Sequence, residues 1–451
     1  MKKIYLFLLL LCTMSLWQCV KVKDWQDPAD GVPPGTVSGV SVENLNGGAV
    51  IKYRLPGDTD LMGVKAVYSF DENDEKREVY ASAFRDSIVL EGYLDTNEHT
   101  VELFVVDNSG NVSLPVSVKI QPKTPPIDLI RQTLKVSPSF GGVYTSWENP
   151  LGKSIDISLY IIDSIGDRVL YDRYYSTATD DKYIFRNLES KEQYLHIELR
   201  DRWDHYAPPL DTILTPLFER QIPGRDELGN DIWSRYGYAD NTNLYRGDAV
   251  GVTSNQPFRA IHDGIAYIDG NDRNWFVDPT IMQRYIPTGS TTYLYPVYFT
   301  IDMGKRASYS RLTYWPRART PAYSAWVRYE FEVWGIDNPK PISEIGNGSQ
   351  LDNLKYWTNW AEIEGADAWK NDWVKLADCV IQFPSGTPNN VNSVTSAEDI
   401  AFVKNGFSFD IDPDKTSYPC RYLRFVIKKT NNGANYIQVS ELAFWGAYAD
   451  E

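Results

Sequence analysis

Short runs in which apolar and polar residues alternate dominate the chain, and they predict β-strands. "AVIKYRL" (49–55), "TVELFVVD" (100–107) and "YEFEVWG" (329–335) all follow this two-residue period. Gly, Pro, Asn and Asp interrupt the runs at short intervals, as they do at turns between strands. Heptads typical of long helices are absent. The pattern therefore predicts an all-β protein.

Two copies of one β-rich domain fill the first half of the chain. "GGAVIKYRLP" (47–56) and "GGVYTSWENP" (141–150) share a double glycine, an aromatic residue and a final proline. The segments 93–115 and 187–209 also match, and both pairs are separated by the same offset of 94 residues. One offset shared by two separate stretches indicates a tandem repeat, and the short strands with frequent turns predict sandwiches.

Each copy resembles a fibronectin type III module. The resemblance rests on an early strand ending in Pro, a corner made of Leu and a polar turn, the strand "TVELFVVD" and a Gly-Asn turn. Proline-rich points predict modules at 34–121 and 122–221, followed by a C-terminal domain at 222–451. Modules of this kind often act as spacers. Trp203 stands where the first copy has Ser109 and is a candidate contact residue, but we expect it instead to pack on the neighbouring domain.

The N-terminus has the form of a bacterial lipoprotein signal. Two lysines precede an apolar run that is too short to span a bilayer comfortably, and Leu16 lies three positions before Cys19, as in a lipobox. Cys12 is a rival acceptor, but it lies inside the apolar run. We expect a signal peptide at 1–18, lipidation at Cys19 and a polar tether at 19–33.

Charge and cysteine content exclude several classes of partner and cofactor. Lys and Arg total 45 against 60 Asp and Glu, a net charge of −15, which disfavours nucleic acid and anionic membranes as partners. Zinc is disfavoured because the chain has no CxxC motif and only four histidines. Cys379 and Cys420 could form a disulfide in an exported domain, or could be two separate small buried residues.

Tryptophan is concentrated in the C-terminal domain, which contains ten of the fourteen. Trp334 and Trp445 follow alternating strands and are core candidates. Other aromatic residues lie in turn-rich surroundings, as in "YWPRARTP" (314–321). Loops are rarely buried, because their backbone groups would lack partners, so aromatic residues there are the better candidates for a binding surface.

The C-terminal domain resembles discoidin domains, also called coagulation factor five/eight C-type domains. "AIHDGIAYIDGNDRNWF", "VYFTIDMGKRASYSRLTYWPR", "YEFEVWGIDN", "YPCRYLRFVIKK" and "IQVSELAFWG" occur in that family's order over roughly 235–450. The resemblance implies an eight-stranded jelly-roll sandwich. The Trp-rich segment 336–376 and the segment before the "RYLR" strand depart from the family pattern.

A structural calcium ion is a second implication of the resemblance. The matching residues are Asp263 and Glu441, with Asp269, Asn271 and Asp272 nearby, and calcium prefers six to eight oxygen ligands. In the alternative interpretation these are ordinary turn acids, and Glu441 only accepts hydrogen bonds from the first loop.

The whole arrangement resembles surface lipoproteins of Bacteroidota encoded in polysaccharide-utilisation loci. The shared features are a lipid anchor, two fibronectin-like modules and a discoidin-like C-terminus. This resemblance implies an outer-membrane protein, anchored by lipid and facing the cell exterior, beside a transporter of the starch-utilisation type.

The residue chemistry independently favours a polysaccharide or oligosaccharide ligand. A pyranose has a face of C–H groups, which an aromatic ring covers, and an edge of hydroxyls, which Arg, Asn or Asp can bind. Two arginines could also select an acidic sugar. In the alternative interpretation Arg317 is a structural ion-pair partner and Trp326 is core. The candidate ligand-binding residues are Trp275, Trp315, Arg317, Arg319, Tyr323, Trp326 and Trp360.

Catalytic signatures are lacking, and we expect a binding protein rather than an enzyme. The sequence has no GxSxG, HExxH or P-loop motif, and the pair His262–Asp263 is expected to be structural. Two functions stay open: a non-catalytic glycan-binding lipoprotein, or a surface protein that docks a partner protein or acts as an adhesin. Exposed Trp, Tyr and Arg serve both. An accessory to a glycoside hydrolase or lyase is the weaker third interpretation.

Overall fold

The structure is a computed structural model. It describes residues 31–70, 75–236, 246–248, 250–251, 258–266, 275–278, 296–317, 328–359, 366–388, 391, 393–430 and 437–450. Strands dominate these residues, so the all-β prediction is confirmed. None of the helices in the described ranges has the length and apolar character needed to cross a membrane.

The first repeat contains seven antiparallel strands in two sheets. A three-stranded sheet has the order β1-β2-β5, and a four-stranded sheet has the order β4-β3-β6-β7. Alternation along the strands buries one face of each sheet in a shared core that includes Ile51, Val64 and Leu103. The strands are β1 Ser38–Leu45, β2 Gly48–Arg54, β3 Leu61–Tyr68, β4 Arg77–Ser82, β5 Ser87–Glu91, β6 His99–Asp107 and β7 Val116–Ile120.

The second repeat has the same strand orders, β8-β9-β12 and β11-β10-β13-β14. Helix α1, Pro126–Thr133, precedes it. Strands β3, β6 and β7 recur as β10, β13 and β14 at the offset of 94 residues read from the sequence. Its strands are β8 Lys135–Ser139, β9 Gly142–Glu148, β10 Ile155–Ile162, β11 Arg168–Ser176, β12 Asp180–Arg186, β13 Gln193–Asp201 and β14 Leu210–Leu214. The two repeats therefore share the three-plus-four arrangement of a fibronectin type III module.

The density of contacts divides the chain into two compact units. Unit 1 comprises 1–135, 146–182 and 195–212, and unit 2 comprises 136–145, 183–194 and 213–451. The second repeat is therefore divided between the two units.

Within unit 1, the turn after β13 packs against the core of the first repeat. The Asp201 carboxylate accepts hydrogen bonds from the backbone N–H groups of Trp203 and His205, as Asp107 does from Ser109 and Asn111 in the first copy. The Trp203 ring meets Phe70 edge to face, with centroids 6.0 Å apart. The prediction that Trp203 packs on the neighbouring module is confirmed.

The described residues of the C-terminal domain, within unit 2, form an antiparallel eight-stranded sheet and a separate three-stranded sheet. The path through the larger sheet is β15-β25-β19-β23-β20-β21, with β16 and β22 also paired to β19, and the smaller sheet has the order β17-β18-β24. The strands are β15 Arg220–Ile222, β16 Ser234–Arg235, β17 Val250–Gly251, β18 Trp275–Asp278, β19 Val297–Trp315, β20 Arg328–Ile336, β21 Val374–Val380, β22 Phe407–Asp410, β23 Cys420–Thr430, β24 Ile437–Val439 and β25 Glu441–Tyr448.

Side chains from both of these sheets form the main core of unit 2, which includes Phe299, Phe425 and Val439. Two further helices, α2 Gln350–Trp357 and α3 Ala397–Asn405, begin at the serine caps Ser349 and Ser396. Four 3₁₀ turns complete the described elements: Phe258–His262, Ile342–Glu344, Ala368–Asn371 and Pro413–Lys415. The strand segments β15–β25 outnumber the eight implied by the discoidin resemblance, which stays a prediction.

Candidate functional site

Trp275 is a core residue, so the prediction that it lies on an exposed loop is wrong. It begins strand β18, and its side chain is only 1% exposed. Its ring meets those of Phe258 and Phe299 edge to face, at centroid distances of 5.3 and 5.1 Å. The polar residues before Trp275 suggested a loop, but pairing with Val439 makes the position part of a sheet.

The described part of the 312–335 stretch contributes mainly to the protein interior. Tyr314 is buried, and Arg317 is buried with its guanidinium 3.2 Å from the side-chain oxygen of Gln438. The burial of Arg317 agrees with the structural alternative, but this partner is a neutral amide, so the ion pair stays a prediction. Trp315 is half-buried, and Gly406 lies so near that an added Cβ would come within 2.6 Å of the Trp315 ring. The remaining candidates, Arg319, Tyr323, Trp326 and Trp360, lie outside the described residues, as does Cys19.

Trp334 and Trp445 are half-buried and do not belong to the main core, although Trp334 packs against a second apolar cluster. Strand alternation directs their neighbours Val333 and Phe444 into the main core and turns the tryptophans to the other face. The Trp334 ring N–H donates to the carboxylate of Glu332 at 2.8 Å.

The predicted calcium residues meet each other in the structure. The N–H group of Gly264 donates to Oε2 of Glu441 at 3.2 Å, which is the contact expected in the alternative without metal. Burial, followed by the charge of Asp263, raises the pKa of Glu441 to about 8.

This arrangement fits a calcium ion only in part. A divalent cation would relieve the repulsion between Asp263 and Glu441, but calcium needs more oxygen ligands than two carboxylates supply. Within the described ranges, no three acidic, His or Cys side chains cluster closely enough to hold a metal. Asp269, Asn271 and Asp272 lie outside those ranges, so calcium stays a prediction.

His262 is a buried side chain packed on aromatic rings. Its ring lies 5.6 Å from that of Trp233 and 5.4 Å from that of Phe258. Burial lowers the pKa of His262 to about 4, against an opposing contribution from Asp231. A histidine that stays neutral among aromatic rings suits the structural role expected for it.

The Trp-rich segment that departs from the discoidin pattern builds a second apolar cluster. Trp357, Trp369 and Trp373 pack with Tyr298 and Val426, whose neighbours along each strand belong to the main core. These residues therefore cover the opposite face of the large sheet. A long Trp-rich segment beside a sheet was the sequence signal for this cluster.

A tyrosine groove lies beside this second cluster, and sequence analysis did not predict it. Its volume is about 680 Å³, and the rings of Tyr236 and Tyr422 meet edge to face with centroids 4.8 Å apart. Both rings are half-buried, and buried Ile336 is next to them. The complete lining is Tyr236, Ile336, Asn338, Pro339, Lys340, Pro341, Glu344, Asp372 and Tyr422.

The backbone fixes both tyrosines of the groove. Tyr422 lies on β23 between Asp302 of β19 and Ile336 of β20. The backbone N–H group of Tyr236 donates to the carbonyl of Thr300 at 3.3 Å, and the guanidinium of Arg246 lies 4.1 Å from the Tyr236 ring centroid. Burial raises the pKa of both phenols, so both stay neutral donors at physiological pH.

The rim of the groove offers hydrogen-bond donors and acceptors in about equal measure. Asn338, Lys340, Glu344 and Asp372 are exposed there. The Asp372 carboxylate accepts a hydrogen bond from the hydroxyl of Tyr356. Ammonium, amide and carboxylate groups beside two aromatic rings can bind a neutral, polyhydroxylated ring that has a face of C–H groups. The sequence signal available was weak: Tyr422 alternates with core residues of the "RYLRF" strand and so faces away from the main core.

Three family models match successive parts of the chain. Residues 34–122 match a domain of unknown function (DUF4959), 123–225 match another (DUF5126), and 277–446 match a third (DUF5000). No single model covers half of the chain. No curated protein matches it significantly.

Several solved structures are similar to parts of the chain. "SusE-like protein BT2857" is 24% identical, covers 72% of this chain and 100% of its own, and has a TM-score of 0.40. A family 32 carbohydrate-binding module of C. perfringens NanJ, solved with galactose, is 11% identical over 50% of this chain and 98% of its own, with a TM-score of 0.25. A two-module fibronectin type III segment of chicken tenascin is 16% identical, covers 40% of this chain and 99% of its own, and has a TM-score of 0.20. At such identities and TM-scores, none of these similarities decides what this chain binds.

Proposed function

We propose that the protein is a non-catalytic glycan-binding lipoprotein whose C-terminal, discoidin-like domain binds neutral sugar units in the tyrosine groove. The observation that carries the proposal is the Tyr236–Tyr422 pair, with its exposed rim of amide, ammonium and carboxylate groups. Each sugar hydroxyl both donates and accepts a hydrogen bond, so a rim of mixed character suits it better than it suits an ion.

Attachment and location complete the proposal. Cys19 carries the lipid anchor, and the protein lies on the outer membrane, facing the exterior, where it captures polysaccharide for uptake through a transporter of the starch-utilisation type. The two fibronectin-like modules connect the anchor to the binding domain.

Titration calorimetry of the mature chain against neutral and acidic polysaccharides tests the groove. Asn338→Ala and Glu344→Ala remove exposed rim groups without opening the core, and we expect each to weaken binding of a neutral glycan about tenfold or more. Glu98→Ala is the matched control for Glu344→Ala, because Glu98 is an exposed glutamate of the first module. Unchanged affinity in both rim variants would reject this groove as the site.

A docking role for the same groove is the second candidate function, because tyrosines are enriched at protein interfaces. Co-purification of the chain with an outer-membrane protein, disrupted by Asn338→Ala while no glycan binds, would favour docking over glycan capture.

A further inference from the structure

One end of the first module presents a cluster of exposed apolar side chains. The chain enters the module there, and the loops 55–60, 83–86 and 108–115 lie around the entry. Gly35 N–H donates to Asp58 at 3.2 Å, and the Asn111 side-chain amide donates to the carbonyl of Val32 at 3.4 Å. These bonds place the entry segment against two of the loops.

The other contacts bring the third loop to the same end. The N–H group of Ala83 donates to the carbonyl of Met62 at 3.0 Å, and that of Asn108 donates to the carbonyl of Asp60 at 2.9 Å. The apolar side chains exposed around this end are Val32, Met62, Phe84, Val112 and Leu114, and Phe84 is 100% and Leu114 78% exposed.

The fibronectin-like fold itself does not require these residues. At the offset of 94, the second module has Ala178, Pro208 and Asp156 where the first has Phe84, Leu114 and Met62. Asp156 is buried in an ion pair with Arg200 at 2.8 Å. The two copies therefore differ at these three positions, although at the position of Val112 the second copy also has an exposed aromatic residue, Tyr206.

We propose that this end of the first module inserts into the interfacial region of a lipid bilayer. The inference rests on the proposed lipid anchor at Cys19. Only twelve residues, 20–31, separate Cys19 from Val32, a span of about 40 Å when fully extended. The tether joins the module at this end, which is therefore the part of the module that the anchor can bring nearest to the membrane.

The charges around the end indicate how it binds. These loops carry three acids, Asp58, Asp60 and Asp86, and one cation, Arg85. Arg54, at the adjoining end of β2, is a second exposed cation at this end, so the acids still outnumber the cations. The affinity therefore does not come from attraction to anionic lipid. It comes from the burial of Phe84 and Leu114 among acyl chains and headgroups. Binding is expected on neutral phosphatidylcholine and is expected to be insensitive to salt.

Spin labels on the full lipoprotein in phosphatidylcholine vesicles test the insertion. Phe84→Cys carries the label, and Ile165→Cys is the matched control, because Ile165 is an apolar turn residue that is 81% exposed in the second module. Cys379 and Cys420 are buried and are not expected to react. The measured quantity is the ratio of the label's collision rate with oxygen to its collision rate with a water-soluble nickel complex. We expect this ratio to be at least threefold higher for the label at 84 than for the label at 165.

Equal accessibility of the two labels would overturn the proposal. The proposal would also be overturned if the label at 84 were water-exposed in lipid vesicles but immobilised in native outer-membrane fragments. That result would assign the apolar end to a protein partner. Mass spectrometry of Cys19 tests the anchor separately. The Cys19→Ser chain lacks the anchor, so its flotation with the same vesicles tests the apolar end alone, and we expect it to float. Adding Phe84→Asp and Leu114→Asp to this chain should abolish the flotation.

Discussion

The guanidinium of Arg424 donates to the carboxylate of Asp248 at 2.5 Å, and both side chains are almost wholly buried, at 0% and 2% exposure. The same guanidinium donates to Thr300 Oγ1 at 2.8 Å and to the carbonyl of Trp357 at 2.9 Å. It lies 4.9 Å from the ring centroid of Trp369. This arginine joins the large sheet to the Trp-rich segment beside the tyrosine groove.

Removing the buried carboxylate should destabilise the C-terminal domain strongly. Asp248→Ala leaves the Arg424 guanidinium buried without its anionic partner, which costs about 3–5 kcal/mol in comparable pairs. Calorimetric unfolding of the full chain measures the effect as a lower melting temperature of the C-terminal transition. Glu98→Ala is the control, since Glu98 pairs with Lys119 on an exposed surface. Equal effects of the two substitutions would contradict this role for Asp248.

Replacing Trp203 by the residue of the first copy should weaken the packing within unit 1. Trp203→Ser removes the ring that meets Phe70 and leaves a gap beside the first module's core. We expect a loss of about 2–4 kcal/mol in the free energy of unfolding of unit 1. Chemical denaturation followed by circular dichroism measures it. The control is Tyr206→Ala, which removes an exposed aromatic ring in the same turn region. If Tyr206→Ala lowered the free energy of unfolding as much as Trp203→Ser does, the prediction would be refuted.

Glu441 should make stability fall as pH rises from about 4.5 to about 8. Its folded-state pKa is about 8, above the ordinary value of 4.5, so the folded state holds a proton that the unfolded chain has released in this range. Stability then decreases with pH, by at most about 1.4 kcal/mol per unit. Melting temperatures measured in EDTA check this, and Glu441→Gln should flatten the dependence.

Calcium provides the complementary experiment at the same residues. If Asp263 and Glu441 bind the ion, millimolar calcium should raise the melting temperature at pH 8 in the natural chain. Asp263→Asn should remove that increase. An identical melting temperature with calcium and with EDTA would count against the predicted calcium site.

Cys379 and Cys420 should behave as two buried thiols. No disulfide joins them, and strand β20 lies between the strands that carry them. Burial also raises the pKa of the Cys420 thiol, which suppresses the reactive thiolate. A thiol reagent should leave both unmodified in the native mature protein and modify both in urea. Lower stability after treatment with a reducing agent would contradict this prediction.

The strand patterns and the repeat were readable from the sequence, because both are properties of local residue order. The two-residue alternation fixes which side chains face inward, and the shared offset of 94 predicted the common strand arrangement of the two modules. The position of Trp203 in a turn was also predicted correctly, because it follows from the matching position, Ser109, in the first copy.

The binding surface could not be read in the same way. Trp275 stands among turn residues, yet pairing with a strand more than 160 positions away buries it. Tyr236 and Tyr422 are distant in the sequence and form a groove only because strand pairing brings them together. Local order determined the all-β class, the tandem repeat and the inward faces of the strands. Tertiary structure alone decided which aromatic rings lie side by side in a groove, because long-range strand pairing sets the burial of each ring.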